Sequence, residues 1–354
     1  MFNIFSNSST GIEISDSFIK LISLKKKLKT IYLEGYNKII LPPNIVVDGE
    51  IKDVDSLIKY IIKSVKTIKG NKKIKGNIVT SSSNRKTFTV LIKMKQKISK
   101  NKDDDQKSTQ EAILEEIKKE IPFLIEDIYF DWQYACTKNS NEQKKILLSA
   151  APKTIIDDYI NAFKTSELFL NAIDIKAAAI IRSLIPIKNK QIKIIIYIGE
   201  FHSTIILGNN NIIEFVVNTP LTSDAINKTI ADKLNLSKSQ TEKAKKICGV
   251  NDKKCHGALK KALDPLINKL TNDVKNILLS RKDDSENQFP IEKIILCGKG
   301  ANLKNLDELV EKKLNIKTIV GNPLINIKKT NNLLNQEKAL EFATTIGMAL
   351  RGIL

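Results

Sequence analysis

One order of segments occurs twice in this chain: strand, turn, two further strands, helix and strand. It starts near Gly11 and again near Gln191, where apolar residues alternate or run together as they do in strands. The helical spacing of Val54–Thr67 follows the first set of strands. The repeat therefore predicts an α/β protein with two similar lobes and a ligand site between them.

Three strand-to-turn stretches mark places where a ligand can approach the backbone. They are Gly11–Leu24, Ile194–Leu207 and Ile291–Leu303. In the last of these, the apolar run Ile294–Leu296 leads through the small residues of Gly298–Asn302 into a helical pattern. Small residues after a buried strand leave backbone N–H groups open at its carboxyl end. A plain strand-to-helix turn is the alternative interpretation of this stretch.

Composition limits the classes of partner. The chain has 354 residues, 42% hydrophobic and 27% charged, which suits a globular protein of about two domains. Its net charge of +19 raises the question of nucleic-acid or anionic-membrane binding. The lysines are scattered, however, and aromatic residues make up only 6%, too few for a base-stacking surface. We therefore expect no nucleic-acid partner.

The sequence predicts a cytoplasmic protein. No run reaches the roughly 18 apolar residues of a membrane span, and the longest candidate, Leu168–Ile187, is interrupted by charges. The first residues lack the basic and apolar regions of a secretory signal. We expect the four cysteines to be reduced thiols. Cys248, Cys255 and His256 lie close together, but no second ligand pair accompanies them, so we expect no metal site there.

A segment with its own pattern, residues 87–151, follows the first copy. Its charged stretch Gln96–Lys107 predicts a loop, and Ser108–Ile121 predicts a helix with Ser108 as the N-cap. The proline that follows ends this helix, because the residue before proline avoids the helical region. The segment therefore predicts a small α+β insert. Its strands are predicted at Thr87–Met94, Tyr129–Ala135 and Lys144–Ala151.

Eight short motifs occur in a fixed order over nearly the whole chain. They are Gly11–Lys20 (GIEISDSFIK), Leu41–Asn44, Val47–Asp53, Ile121–Phe123, Asp131–Gln133, Ala150–Pro152, Gly321–Pro323 and Ala343–Gly352. In this order they resemble the PilM family of type IV pilus assembly proteins, which has the actin-like ATPase fold. FtsA, a division protein of the same fold, is a weaker match. It carries an amphipathic membrane helix after its core, whereas this chain ends directly after its closing core helix.

The resemblance implies an α/β, actin-like ATPase fold with two duplicated lobes and a small α+β subdomain inserted in the first lobe. The first lobe is expected to consist of residues 1–86 and 152–188, with the inserted subdomain at 87–151 between them. The second lobe is expected to consist of residues 189–234 and 290–354, with a helical subdomain at 235–289 between them.

The resemblance also implies that ATP and Mg²⁺ bind between two β-hairpins, one from each lobe. Glu13 is the implied Mg²⁺ ligand. The implied nucleotide-binding residues are Ser15, Asp16, Ser17, Lys20, Gly199, Glu200, Ser203, Thr204, Thr222, Ser223, Glu242, Lys245, Gly298, Lys299, Gly300, Ala301 and Asn302.

Several positions depart from the family pattern. Glu13 replaces an aspartate and Ser15 a glycine, while Thr222 and Ser223 stand where the family has two glycines. Tyr197 stands where the second hairpin carries an aspartate, and a phenol that is neutral at pH 7 is a poor Mg²⁺ ligand. We therefore expect a nucleotide-binding adaptor and not an efficient ATPase.

Some of these residues have simpler interpretations. Lys20 could be one of many surface lysines, and Glu242 and Lys245 could form a solvated ion pair on one helix face. Trp132 fits a core position better than a binding one. His202 has no partner in the sequence that would make it catalytic.

The implied partner is the N-terminal cytoplasmic peptide of PilN, an inner-membrane protein, with pilus motor or platform components as further candidates. The peptide groove is expected near Thr87–Met94 and Ile121–Gln133, where an extended peptide can add to a strand edge. The chain would then lie at the inner face of the membrane through its partner. Two alternatives remain: a filament-forming ATPase of the FtsA or MreB kind, and an adaptor that has lost nucleotide binding.

Overall fold

The structure is a computed structural model that describes residues 7–71, 74, 76–81, 87–93, 102–135, 145–209, 212–282, 290–328 and 333–354. The strands among these residues form two large sheets, a three-stranded sheet and a two-stranded hairpin. Among the described residues, no helix has both the length and the apolar character needed to cross a bilayer.

The first half of the chain contains eleven strands and four helices among the described residues. Before the insert these are β1 (Ser8–Ile14), β2 (Phe18–Lys27), β3 (Thr30–Ile40), β4 (Val46–Val47), β5 (Glu50–Ile51), α1 (Val54–Lys66), β6 (Lys69–Gly70) and β7 (Asn77–Ser81). The insert and the segment after it give β8 (Phe88–Lys93), α2 (Lys102–Glu120), β9 (Ile128–Ala135), β10 (Lys145–Pro152), α3 (Lys153–Thr165), β11 (Leu170–Asp174) and α4 (Lys176–Leu184).

The second half begins with another meander. Its elements are β12 (Lys193–Ile198), β13 (Ser203–Gly208), β14 (Ile213–Thr219), α5 (Ser223–Leu234), α6 (Lys238–Ile247), α7 (Ala258–Lys282), β15 (Ile294–Cys297), α8 (Leu306–Leu314), β16 (Thr318–Val320), α9 (Gln336–Ala339) and α10 (Ala343–Arg351). A 3₁₀ turn at Lys299–Asn302 follows β15.

The two large sheets share one topology. The first has the order β11-β7-β1-β2-β3-β6 and the second β16-β15-β12-β13-β14. In each, an antiparallel meander of three strands continues into two parallel strands beside its first strand. The predicted duplication and the α/β class are therefore confirmed, whereas the domain boundaries stay predictions.

Helices α4 and α10 fill the space between the two sheets. Helix α10 packs on β1, β2 and β7, whereas α4 contacts β13 and β14. Apolar residues of α4, including Ile180 and Leu184, share a core with Ile195 and Ile295 of the second sheet. The two helices touch at Gly347, where an added Cβ would lie 1.7 Å from the Ala179 carbonyl oxygen. This crossing fixes how the sheets face each other.

The insert forms the sheet β8-β10-β9 with α2 against one face. Helix α2 starts at Lys102, so the predicted loop Gln96–Lys107 is wrong from that residue onward, and its residues 96–101 lie outside the described ranges. Ser108 lies inside the helix and is not its N-cap. The first ten residues of this helix, 102–111, include no apolar residue, so periodicity could not detect these turns.

Two further predictions need correction. The sequence predicts a short edge strand at Val46–Lys52. The structure forms a hairpin of β4 and β5 there, because its turn has positive φ at Asp48 and Gly49. Cys248 and Cys255 form a disulfide, so the expectation of reduced thiols is wrong for this pair. The backbone between them bends enough to bring their Cα atoms to 5.7 Å, which sequence spacing does not reveal. Cys297 is a free buried thiol, and Cys136 lies outside the described residues.

Candidate functional site

The first hairpin turn, Ser15–Ser17, joins β1 to β2 and is held by its own serine. The Ser15 Oγ accepts the Ser17 N–H at 3.4 Å and the Phe18 N–H at 3.2 Å, and donates to the Phe18 carbonyl at 3.3 Å. Backbone amides of this turn are the groups that the resemblance assigns to phosphate. In this chain the amides of Ser15, Ser17 and Phe18 are already bonded within the turn.

Asp16 belongs to a structural contact. Its carboxylate accepts the N–H groups of Asp48 and Gly49, each at 3.1 Å. These amides lie in the β4–β5 turn, so Asp16 ties that hairpin to the end of β1. The side chain is therefore engaged within the first lobe.

Glu13 and Lys20 face each other across β1 and β2 and are both buried, with 4% exposure each. Their side chains lie 3.7 Å apart, and Thr345 of α10 donates to Glu13 Oε2 at 3.1 Å. The Lys20 ammonium donates to the Glu341 carbonyl at 2.6 Å and lies 4.0 Å from the Phe18 ring centroid. The interpretation of Lys20 as a surface lysine is therefore wrong.

Burial controls the charge of this lysine. Desolvation lowers the pKa of Lys20 below its usual value, while the Glu13 carboxylate opposes the shift. The Lys20 side chain lies 3.7 Å from this carboxylate, which the resemblance gives to Mg²⁺.

Tyr197, on β12, lies between the two lobes. Desolvation raises the pKa of its phenol well above the usual range, and the nearby Glu13 charge raises it further. A hydrogen bond with the Thr344 side chain of α10 acts in the opposite direction. The phenol is therefore neutral at pH 7, and it links the second sheet to the helix that covers the first.

The second hairpin turn packs on the start of α5. The Gly199 and Glu200 carbonyls accept the N–H groups of Ser223 and Asp224, at 2.8 Å and 3.0 Å. Thr222 is the N-cap of α5 and accepts the Ala225 N–H at 3.0 Å. The turn and the helix start therefore form one structural unit.

The two hydroxyls of β13 in the predicted set differ. The Thr204 hydroxyl donates to Asn218 at 3.2 Å. The Ser203 Oγ is buried and has no hydrogen-bond partner within the described residues. Ser203 is thus one predicted residue with unused bonding capacity.

The third stretch packs closely against the end of β12. A Cβ on Gly298, which has φ 87°, would lie 2.4 Å from the Ile198 carbonyl oxygen. A Cβ on Gly300 would lie 2.2 Å from the Ile198 side chain. Both glycines are therefore required by packing within the second lobe, as the plain-turn interpretation expects. Ala301 and Asn302 complete the 3₁₀ turn.

Charged side chains connect the second and third stretches. The Lys299 ammonium lies 3.0 Å from Glu200 Oε1. Lys245 and Glu242 form an ion pair at 2.9 Å on α6, and both bond to Asn227 of α5. The structure thus brings the predicted residues of the second lobe together, with Tyr197 reaching toward those of the first.

These residues do not fit Mg²⁺. Mg²⁺ takes carboxylate, water and phosphate oxygens in octahedral geometry. The Glu13 carboxylate is paired with Lys20 and Thr345, and the other implied acidic position is the neutral Tyr197. Among the described residues, no group of three or more His, Cys, Asp or Glu side chains could share a metal ion.

A cavity of about 570 Å³ lies between the insert sheet, β11, α4 and the β13–β14 turn. Thr87 and the segment Tyr129–Gln133 line it, within the neighbourhood predicted for a peptide. Trp132 packs against the insert core, as the sequence predicts, and it also lines this cavity.

One charged cluster beside the cavity has no local sequence signal. The buried Asp174 carboxylate accepts from Arg182 of α4 at 2.8 Å and from Arg351 of α10 at 2.6 Å. All three residues line the cavity. Because they are up to 177 positions apart, only the tertiary fold reveals the cluster.

Two duplicated sheets around a central helix pair, with a β-hairpin of each near the other, define the actin-like ATPase fold. Solved structures agree in fold. MreB 5 of Spiroplasma citri bound to AMPPNP has a TM-score of 0.53 at 12% identity, over 98% of this chain and 96% of that one. The ethanolamine utilization protein EutJ from Carboxydothermus hydrogenoformans has 0.54 at 12%, over 98% and 90%.

Within that fold, the chain belongs to the family described as type IV pilus assembly protein PilM, whose sequence model matches residues 11–353. A solved PilM-PilN type IV pilus biogenesis complex is similar over 98% of both chains, with a TM-score of 0.76 and 21% identity. The predicted family and fold are confirmed.

Proposed function

We propose that this chain is an adaptor of type IV pilus assembly that binds the N-terminal cytoplasmic peptide of a PilN-type inner-membrane protein. The observation that carries this proposal is the cavity beside the insert sheet. Membership of the PilM family and the likeness to a PilM-PilN complex support the choice of partner. The partner would hold the chain at the cytoplasmic face of the membrane. Contacts with pilus motor or platform components remain predictions.

The cavity offers an extended peptide a strand and a polar wall. Among the described residues, β9 pairs with β10 alone and forms one edge of the insert sheet. Asp131 and Ser149 are paired across these strands and both line the cavity. A peptide that lies along β9 would meet the Asp131 carboxylate, which is exposed.

A charge-reversal pair tests this binding mode. Cytoplasmic segments next to membrane spans are rich in lysine and arginine, so the peptide should favour a cavity carboxylate. We expect Asp131→Lys to weaken binding about tenfold or more, since loss of one close ion pair removes about 1.4 kcal/mol or more. The measurement is fluorescence anisotropy with a labelled peptide of the PilN-type protein from the same organism.

Asp127→Lys is the matched control, because Asp127 is exposed in the same segment but does not line the cavity. Its affinity for the peptide should equal that of the unchanged chain. Equal affinity of all three proteins, or no binding by any of them, would contradict the proposal.

A second part of the proposal concerns the role of ATP. Nucleotide binding is general in this fold, and a solved relative contains AMPPNP. In this chain, the Ser15 hydroxyl accepts hydrogen bonds from backbone amides of the first turn. The Lys20 side chain lies 3.7 Å from the Glu13 carboxylate. We therefore propose that the adaptor works without Mg²⁺–ATP turnover. The same contacts argue against the filament-forming ATPase.

A further inference from the structure

The β2–β3 hairpin ends in a basic tip, which we define as residues Lys25–Lys29. Four of its five residues are lysines, and the fifth, Leu28, is 96% exposed. Lys27 and Lys29 are exposed on either side of it. The Lys25 ammonium lies 3.9 Å from the Glu34 carboxylate. The tip therefore presents an apolar side chain surrounded by positive charge.

The stability of the hairpin does not explain Leu28. Its φ of 55° lies in the left-handed region, which leucine adopts unfavourably and which asparagine or glycine adopts readily. A side chain that is almost fully exposed gains nothing from packing inside the molecule. The exposed Leu28 side chain is therefore available to a surface outside the chain.

The position of the tip relates it to the cavity. The Lys26 ammonium donates to the Ile353 carbonyl at 2.9 Å. The neighbouring residues Arg351 and Leu354 line the cavity beside the insert sheet. The base of the tip and one wall of the cavity are thus joined through the last turn of the chain.

We propose that the basic tip docks on an anionic lipid surface. Leu28 would enter the interfacial region, and Lys27 and Lys29 would lie among the lipid phosphates. A few charges and one leucine give weak and reversible binding, which gains strength when a membrane-held partner raises the local concentration. The scattered lysines of the chain argue against a nucleic-acid partner. The exposed Leu28 side chain favours a lipid surface as the partner of the tip.

Vesicle co-sedimentation of the full chain tests the proposal. We use phosphatidylcholine vesicles with and without about one third phosphatidylglycerol, at about 0.1 M salt. Binding is expected only to the anionic vesicles. The double variant Lys27→Gln/Lys29→Gln should lower the partition coefficient about thirtyfold, since each lysine contributes a factor of about five.

Leu28→Asn separates membrane contact from folding. Asparagine tolerates the left-handed turn, so this variant should be as stable as the unchanged chain or more stable. It should nevertheless bind the anionic vesicles several-fold less. Thermal unfolding of each variant in the same buffer shows whether the fold is kept.

Lys243→Gln/Lys246→Gln is the matched control, because it removes two exposed charges from α6 in the other lobe. It should bind vesicles as the unchanged chain does. An equal loss in this control, no binding by the unchanged chain, or transfer of the effect to duplex DNA instead of vesicles would overturn the proposal. Peptide affinity should not change in any tip variant, so failure here leaves the peptide proposal intact.

Discussion

At the scale of single residues, some features of the candidate nucleotide site are visible in the sequence. Others depend on contacts that only the fold reveals. The change to Tyr197 was visible as a departure from the family pattern, and its neutral phenol was predicted correctly. The burial of Lys20 was not, because β2 is buried on both faces from Phe18 to Leu24 and a lysine in a sequence does not signal burial. The segment that leads into α10 covers Lys20, whose ammonium donates to the Glu341 carbonyl.

Cys297 gives a residue-scale prediction. Burial raises the pKa of its thiol from 9.0 to about 12, while the Gly298 N–H and Lys20 act in the opposite direction. Above pH 9 the unfolded chain releases this proton and the folded chain keeps it, so the free energy of unfolding should fall as pH rises. Urea unfolding on either side of pH 9 measures the slope.

The comparison is with Cys297→Ala. This variant should be less stable at every pH because it leaves a small cavity, but its fall above pH 9 should be shallower. Residues distant from position 297 are common to both proteins, so their contributions cancel in the difference. Parallel curves would show that the thiol does not titrate in this way.

At the scale of elements, the strands and most helices could be predicted, whereas their ends and crossings could not. Helix α1 follows an apolar spacing and was predicted to within one residue. Helix α2 begins with polar turns that carry no such spacing. The close crossing of α4 and α10 depends on residues far apart in sequence.

The crossing gives an element-scale prediction. Gly347→Ala places a methyl group where the Ala179 carbonyl oxygen lies, so the two helices must separate. We expect a loss of about 2–3 kcal/mol of stability, measured by urea unfolding.

Gly35→Ala serves as the control. Its nearest new contact is the flexible end of the Ile68 side chain, so its loss should be clearly smaller. Similar losses in both variants would mean that the helix crossing is not tight.

At the scale of the whole molecule, the repeated order of segments was enough to predict two lobes, because each copy needs its own sheet. The assignment of the candidate site to a nucleotide stays a prediction. The predicted residues of the second lobe come together, but Ser15, Asp16 and Lys20 bond within the first lobe and to the segment that leads into α10. A motif shows where a residue lies along the chain. It does not show which group the side chain contacts in the folded protein.

Calorimetry of the whole chain tests whether the candidate site between the two hairpins binds Mg²⁺–ATP. Titration of Mg²⁺–ATP into the chain should give no binding tighter than about 1 mM, because Lys20 and Tyr197 keep Glu13 from the ion. Thermal unfolding with and without Mg²⁺–ATP should agree, since a ligand stabilises only the state that it binds. Micromolar binding or a rise in melting temperature would show an open nucleotide site.

The two arginines on Asp174 have a consequence for how the molecule moves. One carboxylate holds α4, α10 and a wall of the cavity beside the insert sheet at once, through Arg182 and Arg351. The cavity wall and the helix pair between the two sheets are thus connected through the Asp174 carboxylate. A partner that widened the cavity would have to shift the sheets as well, so the width of the cavity and the angle between the lobes cannot change independently.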